Sequence, residues 1–100
     1  MSVDLSTLTK ATFDAHLGDL FVMRVSADRA IALELIETEA LPTAPNATRT
    51  AFRLRFRAAE RGHLPQLIYS LEHATLGTLE VFLVPVGPDA AGMLYDAVFS

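Results

Sequence analysis

The chain contains no cysteine and few basic residues. Without cysteine it has no disulfide framework, no thiolate nucleophile and no zinc site built on thiolate ligands. Its 8 Lys and Arg residues stand against 12 Asp and Glu, which gives a net charge of −4. Nucleic acids and anionic membranes are bound through a basic footprint that neutralises phosphates, so we expect neither as a partner.

Long apolar runs and glycine-rich loops are missing as well. Residues 1–10 lack the basic stretch and apolar run of a signal peptide, and no segment approaches the ~18 uninterrupted apolar residues of a membrane-spanning helix. A cytoplasmic protein is therefore the expected default. The five glycines are scattered, so they form no phosphate-binding loop, and no serine lies in the G-x-S-x-G elbow of a hydrolase.

Apolar residues, in contrast, are abundant. They make up 51% of the chain, against 20% charged residues. This balance is typical of a chain that folds around a hydrophobic core, and its length suits one domain rather than two. We therefore predict a single domain over residues 1–100.

The clearest periodicity lies in residues 52–58, where apolar residues alternate with Arg53, Arg55 and Arg57. A period of two predicts a strand with one face in the core and one in water. The same kind of reading, with turn signals between the segments, predicts five further strands. These strands cover residues 20–25, 30–41, 66–71, 79–84 and 93–99.

One short helix is predicted near the N-terminus, over residues 8–17. Thr9 is a suitable N-cap and Gly18 a suitable residue just past the C-terminus. Phe13 and Leu17 are four residues apart, so on a helix they face the same side. We expect both to point inward and to cover one end of the sheet.

The strand over residues 79–84 is apolar at every position except Glu80. It is predicted to be the most enclosed strand, and Pro85 and Gly87 are expected to end it. Seven aromatic residues either fill the core or line a ligand cavity, and the small size of the domain favours the core. They are Phe21, Phe52, Phe56, Tyr69, Phe82, Tyr95 and Phe99.

Short turns link the predicted strands, with no helical patterns of about 10 to 15 residues between them, which favours antiparallel pairing. The predicted fold is all-β with one short N-terminal helix, arranged as a small antiparallel β-barrel or rolled sandwich of about six strands. Several strands are apolar on both faces. Either the sheet closes tightly under the helix, or another chain covers part of its surface.

Arg53, Arg55 and Arg57 form a row that resembles an anion-binding stripe. One strand face places their three guanidinium groups within about 14 Å of one another. The ordinary alternative is cross-strand pairing with the acidic residues Glu34, Glu37 and Glu39. We favour pairing, and the anion site gains weight only if the two strands are not neighbours.

His16, His63 and His73 raise the question of a metal site shared with Glu72. Their spacing matches no metal-binding pattern, so we predict no metal and no cofactor. Glu72 and His73 are consecutive and therefore point to opposite faces of a strand, which makes them a poor acid–base pair. We predict no catalytic residues and a protein that is not an enzyme.

Gln66, Tyr69, Glu72 and His73 form the remaining polar cluster. Gln66 and Glu72 share one face of the predicted strand, and Tyr69 and His73 share the other. One interpretation is the mouth of a small-ligand site, with the arginine row as its anion partner. The other is a structural corner, held by Glu72 and His73, before the chain turns into the next strand.

Three sequence patterns carry a family resemblance: F-x-x-H-L-G at residues 13–18, Y-x-x-E-H-x-x-L-G at residues 69–77 and F-L-V-P-V-G at residues 82–87. With Tyr95 and Phe99 they resemble an uncharacterised bacterial family of domains of unknown function, roughly one hundred residues long. The resemblance extends over nearly the whole chain. It implies a structural or accessory part of a phage-tail-like assembly.

The main functional prediction is a non-enzymatic structural or protein-interaction module. Strands that are apolar on both faces suggest that it self-associates or docks onto a larger assembly, through an exposed strand edge or an apolar face. The alternative is a small-ligand-binding barrel with a polar mouth near Tyr69, Glu72 and His73.

Overall fold

A computed structural model of the chain describes residues 7–47, 49–59 and 64–99. Within these residues the strands are all paired antiparallel, and they close into a barrel in the order β1-β2-β3-β6-β5-β4. The predicted all-β antiparallel fold with one short helix is confirmed, and it is a barrel. The elements are α1 (Lys10–Asp14), β1 (Leu20–Ser26), β2 (Arg29–Ala40), β3 (Phe52–Ala58), β4 (Leu67–His73), β5 (Gly77–Asp89) and β6 (Gly92–Phe99).

The barrel consists of two successive three-stranded meanders, β1-β2-β3 and β4-β5-β6, joined where β1 pairs with β4 and β3 with β6. In each meander the middle strand is long and contains a register shift, after Leu35 in β2 and after Pro85 in β5, and the β1–β2 pair has another between Arg24 and Ser26. Such bulges bend a strand and increase its twist. β5 can therefore pair with β4 up to Leu83 and with β6 from Val84 onward.

The expectation that Pro85 and Gly87 end the fifth strand is wrong. β5 continues through both residues to Asp89, and the register shift falls between them. Gly87 has a φ of +106°, which an L side chain rarely adopts. A bulge is a place where a strand tolerates proline and such a backbone, so these residues bend β5 without ending it.

The expectation that residues 79–84 form the most enclosed strand is also wrong. Leu79, Val81 and Leu83 are buried, but Glu80 is exposed and the residue Phe82 is 50% exposed. The strand thus alternates between the core and solvent as the others do. Of the seven aromatic residues expected in the core, Phe82 is the one that lies outside it.

The N-terminal helix is shorter than predicted, since it ends at Asp14. Thr9 is the N-cap, and its hydroxyl accepts the N–H of Thr12 in a reciprocal capping box. Phe13 is buried as predicted, but Leu17 is 47% exposed, because the chain has left the helix before a further turn could align the two. Within the described residues no helix is both long and apolar enough to cross a membrane.

The end of the barrel next to α1 is closed by aromatic packing. The ring of Phe13 lies 5.8 Å from that of Phe52 and 5.6 Å from that of Phe99, measured between centroids, and the latter two are stacked at 4.8 Å. The guanidinium of Arg49 lies over both stacked rings, at 5.5 and 5.9 Å. Phe13 therefore closes this end without Leu17.

The opposite end is closed by the segment that leads into β4. The backbone N–H of Leu64 donates to the hydroxyl of Tyr95 at 3.1 Å, and the Tyr69 hydroxyl donates to the carbonyl oxygen of Pro65 at 2.7 Å. Between the two ends the inward side chains form one continuous core. The interior is filled as expected for a barrel of this size.

The turn between β5 and β6 is tight and consists of Ala90 and Ala91. The Asp89 carboxylate accepts the N–H groups of Ala91 and Gly92 at 2.9 and 3.0 Å. A Cβ atom at Gly92 would lie 1.8 Å from the carbonyl oxygen of Ala58. Glycine is therefore required for the close approach of β6 to β3.

Candidate functional site

The four residues of the predicted mouth lie on different sides of the barrel wall. Tyr69 and His73 are buried on the inner side of β4, while Glu72 lies on the outer side and Gln66 is exposed before the strand begins. The Glu72 carboxylate accepts two hydrogen bonds from Arg24 of β1, at 3.1 and 3.3 Å. The alternation of β4 separates the four residues, so they do not converge on one opening.

Tyr69 is held at the end of the barrel opposite to α1. Burial raises the pKa of its hydroxyl, so the group stays protonated and keeps donating to Pro65. The neighbouring Tyr95 contributes further to this rise in pKa. Tyr69 thus helps to close the barrel and does not line an entrance.

His73 forms the corner at which β4 turns into β5. Its Nδ1 accepts the backbone N–H groups of Thr75 and Leu76, at 3.0 and 3.1 Å, and Gly77 follows with a φ of +88°. These bonds satisfy two donors of the turn that have no strand partner. Of the two interpretations of this segment, the structure supports the corner, held by His73 without Glu72.

His73 also meets His16 through a carboxylate that the sequence analysis did not select. Oδ2 of Asp19 lies 2.8 Å from Nε2 of His73 and 3.0 Å from Nδ1 of His16, and the two imidazole rings are 4.5 Å apart. The hydrogen bond from His73, and then that from His16, lowers the pKa of the Asp19 carboxyl. His63 lies outside the described residues, and Glu72 is on the other face of the strand.

The three side chains have suitable ligand atoms for a metal ion, all within 4.8 Å of one another. The tautomer of His73 opposes this use. Because Nδ1 accepts two backbone N–H groups, the ring proton is on Nε2 and is donated to Asp19. A histidine that binds a metal through Nε2 normally carries its proton on Nδ1. The cluster is therefore a latch that ties the segment before β1 to the β4–β5 turn.

The arginine row lies between two acidic strands. Arg53 donates from Nε to Glu39 at 2.9 Å and from Nη2 to Glu37 at 2.5 Å, both on β2. Its Nη1 lies 3.5 Å from the carboxylate of Asp96 on β6. β2 is the neighbour of β3, so the condition that would have favoured an anion site is not met.

The other two arginines bind acids that sequence reasoning did not pair with them. Arg55 donates twice to Asp96, at 2.7 and 2.9 Å, and Arg57 donates twice to Asp89, at 3.0 and 2.6 Å. These bonds raise the pKa of both guanidinium groups, and the bond from Arg57 lowers the pKa of the Asp89 carboxyl. Each guanidinium of the row already binds a carboxylate, which leaves it poorly placed to take an anionic ligand.

The outer side of β4, β5 and β6 has a different character. Ile68 and Phe82 are directly opposed across β4 and β5, and they are 69% and 50% exposed. Val84 shares the outer side of β5 and pairs with Asp96, and Val98, which is 65% exposed, follows two residues after Asp96 on the same side of β6. We call Ile68, Phe82, Val84 and Val98 the apolar face.

Charge is scarce around the apolar face. Glu80, one outward position from Phe82, is exposed and accepts a hydrogen bond from the Ser70 hydroxyl. Asp96 is already bound to Arg55. Leu67 and Val86 are also exposed, but Leu67 is opposite the inward Leu83 and Val86 lies at the register shift of β5, so neither is counted in the apolar face. An exposed apolar surface that extends over three strands marks an interaction site more often than scattered apolar residues do.

One known protein family matches nearly the whole chain. The model of a family described as a domain of unknown function, DUF6916, matches residues 8–99. The chain belongs to this family. The match extends over the helix and all six strands described above, and it confirms the predicted resemblance to a family of unknown function. No curated protein and no solved structure matches this member of DUF6916.

DUF6916 is a domain of unknown function, so membership assigns no functional residues to the chain. Sequence reasoning selected the polar residues of β4 and the arginine row, and the structure gives each of them except Gln66 a specific partner within the barrel. An apolar face was also predicted from strands that are apolar on both sides, but its residues were not identified, and Phe82 was expected in the core or at a cavity. The sequence does not show that Ile68, Phe82 and Val98 are exposed until it is known which residues of each strand point inward.

Proposed function

We propose that the protein is a non-enzymatic protein-interaction module, a cytoplasmic structural part of a larger assembly, and that it binds through the apolar face. The observation that carries this proposal is the run of exposed apolar residues across β4, β5 and β6. The motif resemblance described above supplies the setting of a phage-tail-like assembly. The filled interior and the paired arginines favour this function over ligand binding inside the barrel.

The mode of binding follows from the closure of the barrel. Each described strand pairs with a neighbour on both sides over part of its length, so none offers a whole free edge to extend the sheet into another chain. Of the two predicted modes of association, an edge and a face, the face is the one that this architecture offers. Contact then depends on side chains and not on backbone hydrogen bonds.

The size of the apolar face sets the expected strength. It exposes on the order of 350 Å² of apolar area, which at ~25 cal/mol per Å² corresponds to about 9 kcal/mol when buried. Losing free rotation and translation costs about 4 to 15 kcal/mol on association. A partner that buries a similar apolar area brings the total gain to about 18 kcal/mol, which leaves roughly 3 to 14 kcal/mol after this cost. Reversible binding of micromolar strength, about 8 kcal/mol, lies within that range.

The proposal is tested by photo-crosslinking in the cell that naturally makes the protein. A benzophenone amino acid replaces Phe82 in one variant and Leu20 in the control; Leu20 is 62% exposed on the outer side of β1, away from the apolar face. Irradiation should give one defined protein adduct from position 82 and none from position 20. Equal labelling at both positions, or no protein adduct at position 82, would contradict the proposal.

A further inference from the structure

The strand at the centre of the apolar face has the residue pattern of a strand that is covered on both sides. On β5, Leu79, Val81 and Leu83 fill the core while Phe82 and Val84 lie on the opposite side. Strands that are apolar on both sides are typical of a sheet buried between two layers. The surface that fits such a face is another slightly twisted sheet, packed about 10 Å away.

The area of the face suits a small symmetric interface. Protein interfaces are about 57% apolar, so about 350 Å² of apolar area corresponds to roughly 600 Å² buried on each partner. Two partners then bury about 1,200 Å², which is at the lower limit for specific, stable association. One face matched with an identical face therefore suffices, without a second binding surface on this chain.

The apolar face carries little charge, which favours a partner surface that is also uncharged. Its one carboxylate without a cationic partner among the described ion pairs is Glu80, so a strongly charged partner surface would find almost nothing to pair with. A copy of this chain presents an equally uncharged face. With a two-fold axis near Phe82 and perpendicular to the strands, the two Glu80 residues lie about 14 Å apart along the strand direction. That separation exceeds the Debye length of ~8 Å at physiological salt, which screens their repulsion.

We infer that the partner of the apolar face is a second copy of this chain, packed face to face about a two-fold axis that runs near Phe82. This inference rests on the proposed function, because it names the partner of the same surface. The two Phe82 rings lie at the centre of the dimer, with Ile68 and Val98 on either side. A two-fold interface of this kind is self-complementary and closes at two copies.

The first test is the mass of the purified protein in solution. Sedimentation equilibrium, over about a thousandfold range of concentration centred on the micromolar range, should follow the 10.9 kDa chain as it passes reversibly from one copy to two. A single copy at every concentration overturns the inference. Assemblies that grow beyond two copies overturn it as well, because a two-fold interface cannot extend.

The second test places the interface. Phe82→Lys should weaken dimerisation by about thirtyfold, as expected for a central aromatic residue, and Leu20→Lys should leave the dissociation constant unchanged. Because Phe82→Lys could disturb β5, Phe82→Thr serves as a second variant that retains strand preference and removes the ring. Circular dichroism confirms that each variant is folded. A folded Phe82 variant that dimerises as tightly as the parent protein overturns the inference.

The two proposals fail in different ways. If the purified protein stays a single copy while the benzophenone at position 82 joins a different protein in the cell, the inferred dimer is wrong and the interaction module stands. If the adduct consists of two copies of this chain, both are supported. If position 82 gives no protein adduct and the purified protein does not associate, both are wrong.

Discussion

Two outer surfaces of the same barrel differ in whether their outward side chains have partners within the chain. On β3 the outward residues are Arg53, Arg55 and Arg57, and each binds a carboxylate of a neighbouring strand. On β4 and β5 the outward residues include Ile68 and Phe82, which bind nothing polar and remain exposed. The first surface satisfies its charges within the chain, and the second leaves apolar area that only another surface can cover.

β6 belongs to both surfaces, and it shows how local the change is. Asp96 points outward into the arginine row, and Val98, two residues later on the same side, lies in the apolar face. One strand thus carries a charge-paired position and an exposed apolar position about 7 Å apart. A binding surface can therefore be read from which outward residues lack a partner, even in a barrel with a filled interior.

Of the two outer surfaces, the charge-paired one should lose more stability on substitution, and it should lose most where it depends on one carboxylate. Asp96 contacts both Arg53 and Arg55, and its side chain is 14% exposed. Asp96→Ala leaves two partly buried guanidinium groups with fewer acceptors, and we expect the free energy of unfolding to fall by about 2 kcal/mol. Urea unfolding measures this. Glu39→Ala, which removes a more exposed partner of Arg53, is the control and should cost no more than about 0.5 kcal/mol.

A loss of equal size in the two variants would mean that burial does not distinguish these ion pairs. In that case the arginine row would behave as an ordinary solvated surface.

A smaller effect should appear when the pH is lowered. The pKa of the Asp89 carboxyl is below its ordinary value of 3.8, chiefly because of the hydrogen bonds from Arg57. A lowered folded pKa means that its contribution to stability is present above about pH 4 and is lost as the pH falls through the folded pKa. Asp89→Asn removes the titrating group, so its unfolding free energy should fall less steeply below pH 4 than that of the parent protein. Urea unfolding at a series of pH values measures both slopes.

Identical slopes below pH 4 would show that the Arg57–Asp89 pair does not couple to folding. The Asp19 carboxyl, whose pKa is lowered by His73 and His16, contributes to the same slope and is unchanged in this variant.

The smallest effect on stability is expected at the apolar face. Phe82 is half exposed, and Phe82→Thr should lower the free energy of unfolding of the single chain by about 1 kcal/mol, because the buried half of the ring still packs against the sheet. Phe56→Thr, at a fully buried aromatic position on β3, is the contrast and should cost about 3 kcal/mol or more. Thermal or urea unfolding below the concentration of association gives both values. A large loss at Phe82 would mean that the ring stabilises the barrel itself, and the contrast between the two surfaces would lose its meaning.

The strands were predictable where one side of a strand is strictly polar. β3 has the predicted bounds because arginines mark its outer side at every second position. β5 has no such marker, so its sequence predicts a more enclosed strand than the structure has, with Phe82 in the core. Its proline and glycine predict an end of the strand, although a bulge accommodates both.

The contacts between distant elements were not predictable from one sequence. Pairing of Arg53 with Glu37 and Glu39 follows from a neighbouring strand along the chain, and it was expected. Asp96 and Asp89 reach the same row only because β6 closes against β3 and then pairs with β5, and strand order leaves no local signal. The cluster of Asp19 with His73 likewise joins a segment before β1 to a turn after β4.

The arrangement of two meanders has a consequence for how the chain folds. Within a meander, paired residues lie close in sequence. The two pairings that join the meanders, β1 with β4 and β3 with β6, are here called the seams; they join Met23 to Leu71 and Arg55 to Asp96. Closing long loops is slow because their entropy is lost before the contacts form. We expect the meanders to form early and the seams to close last, so that Leu71→Ala speeds unfolding in stopped-flow experiments and hardly slows folding. Folding would then proceed from the contacts between strands adjacent in sequence to the two pairings that close the barrel.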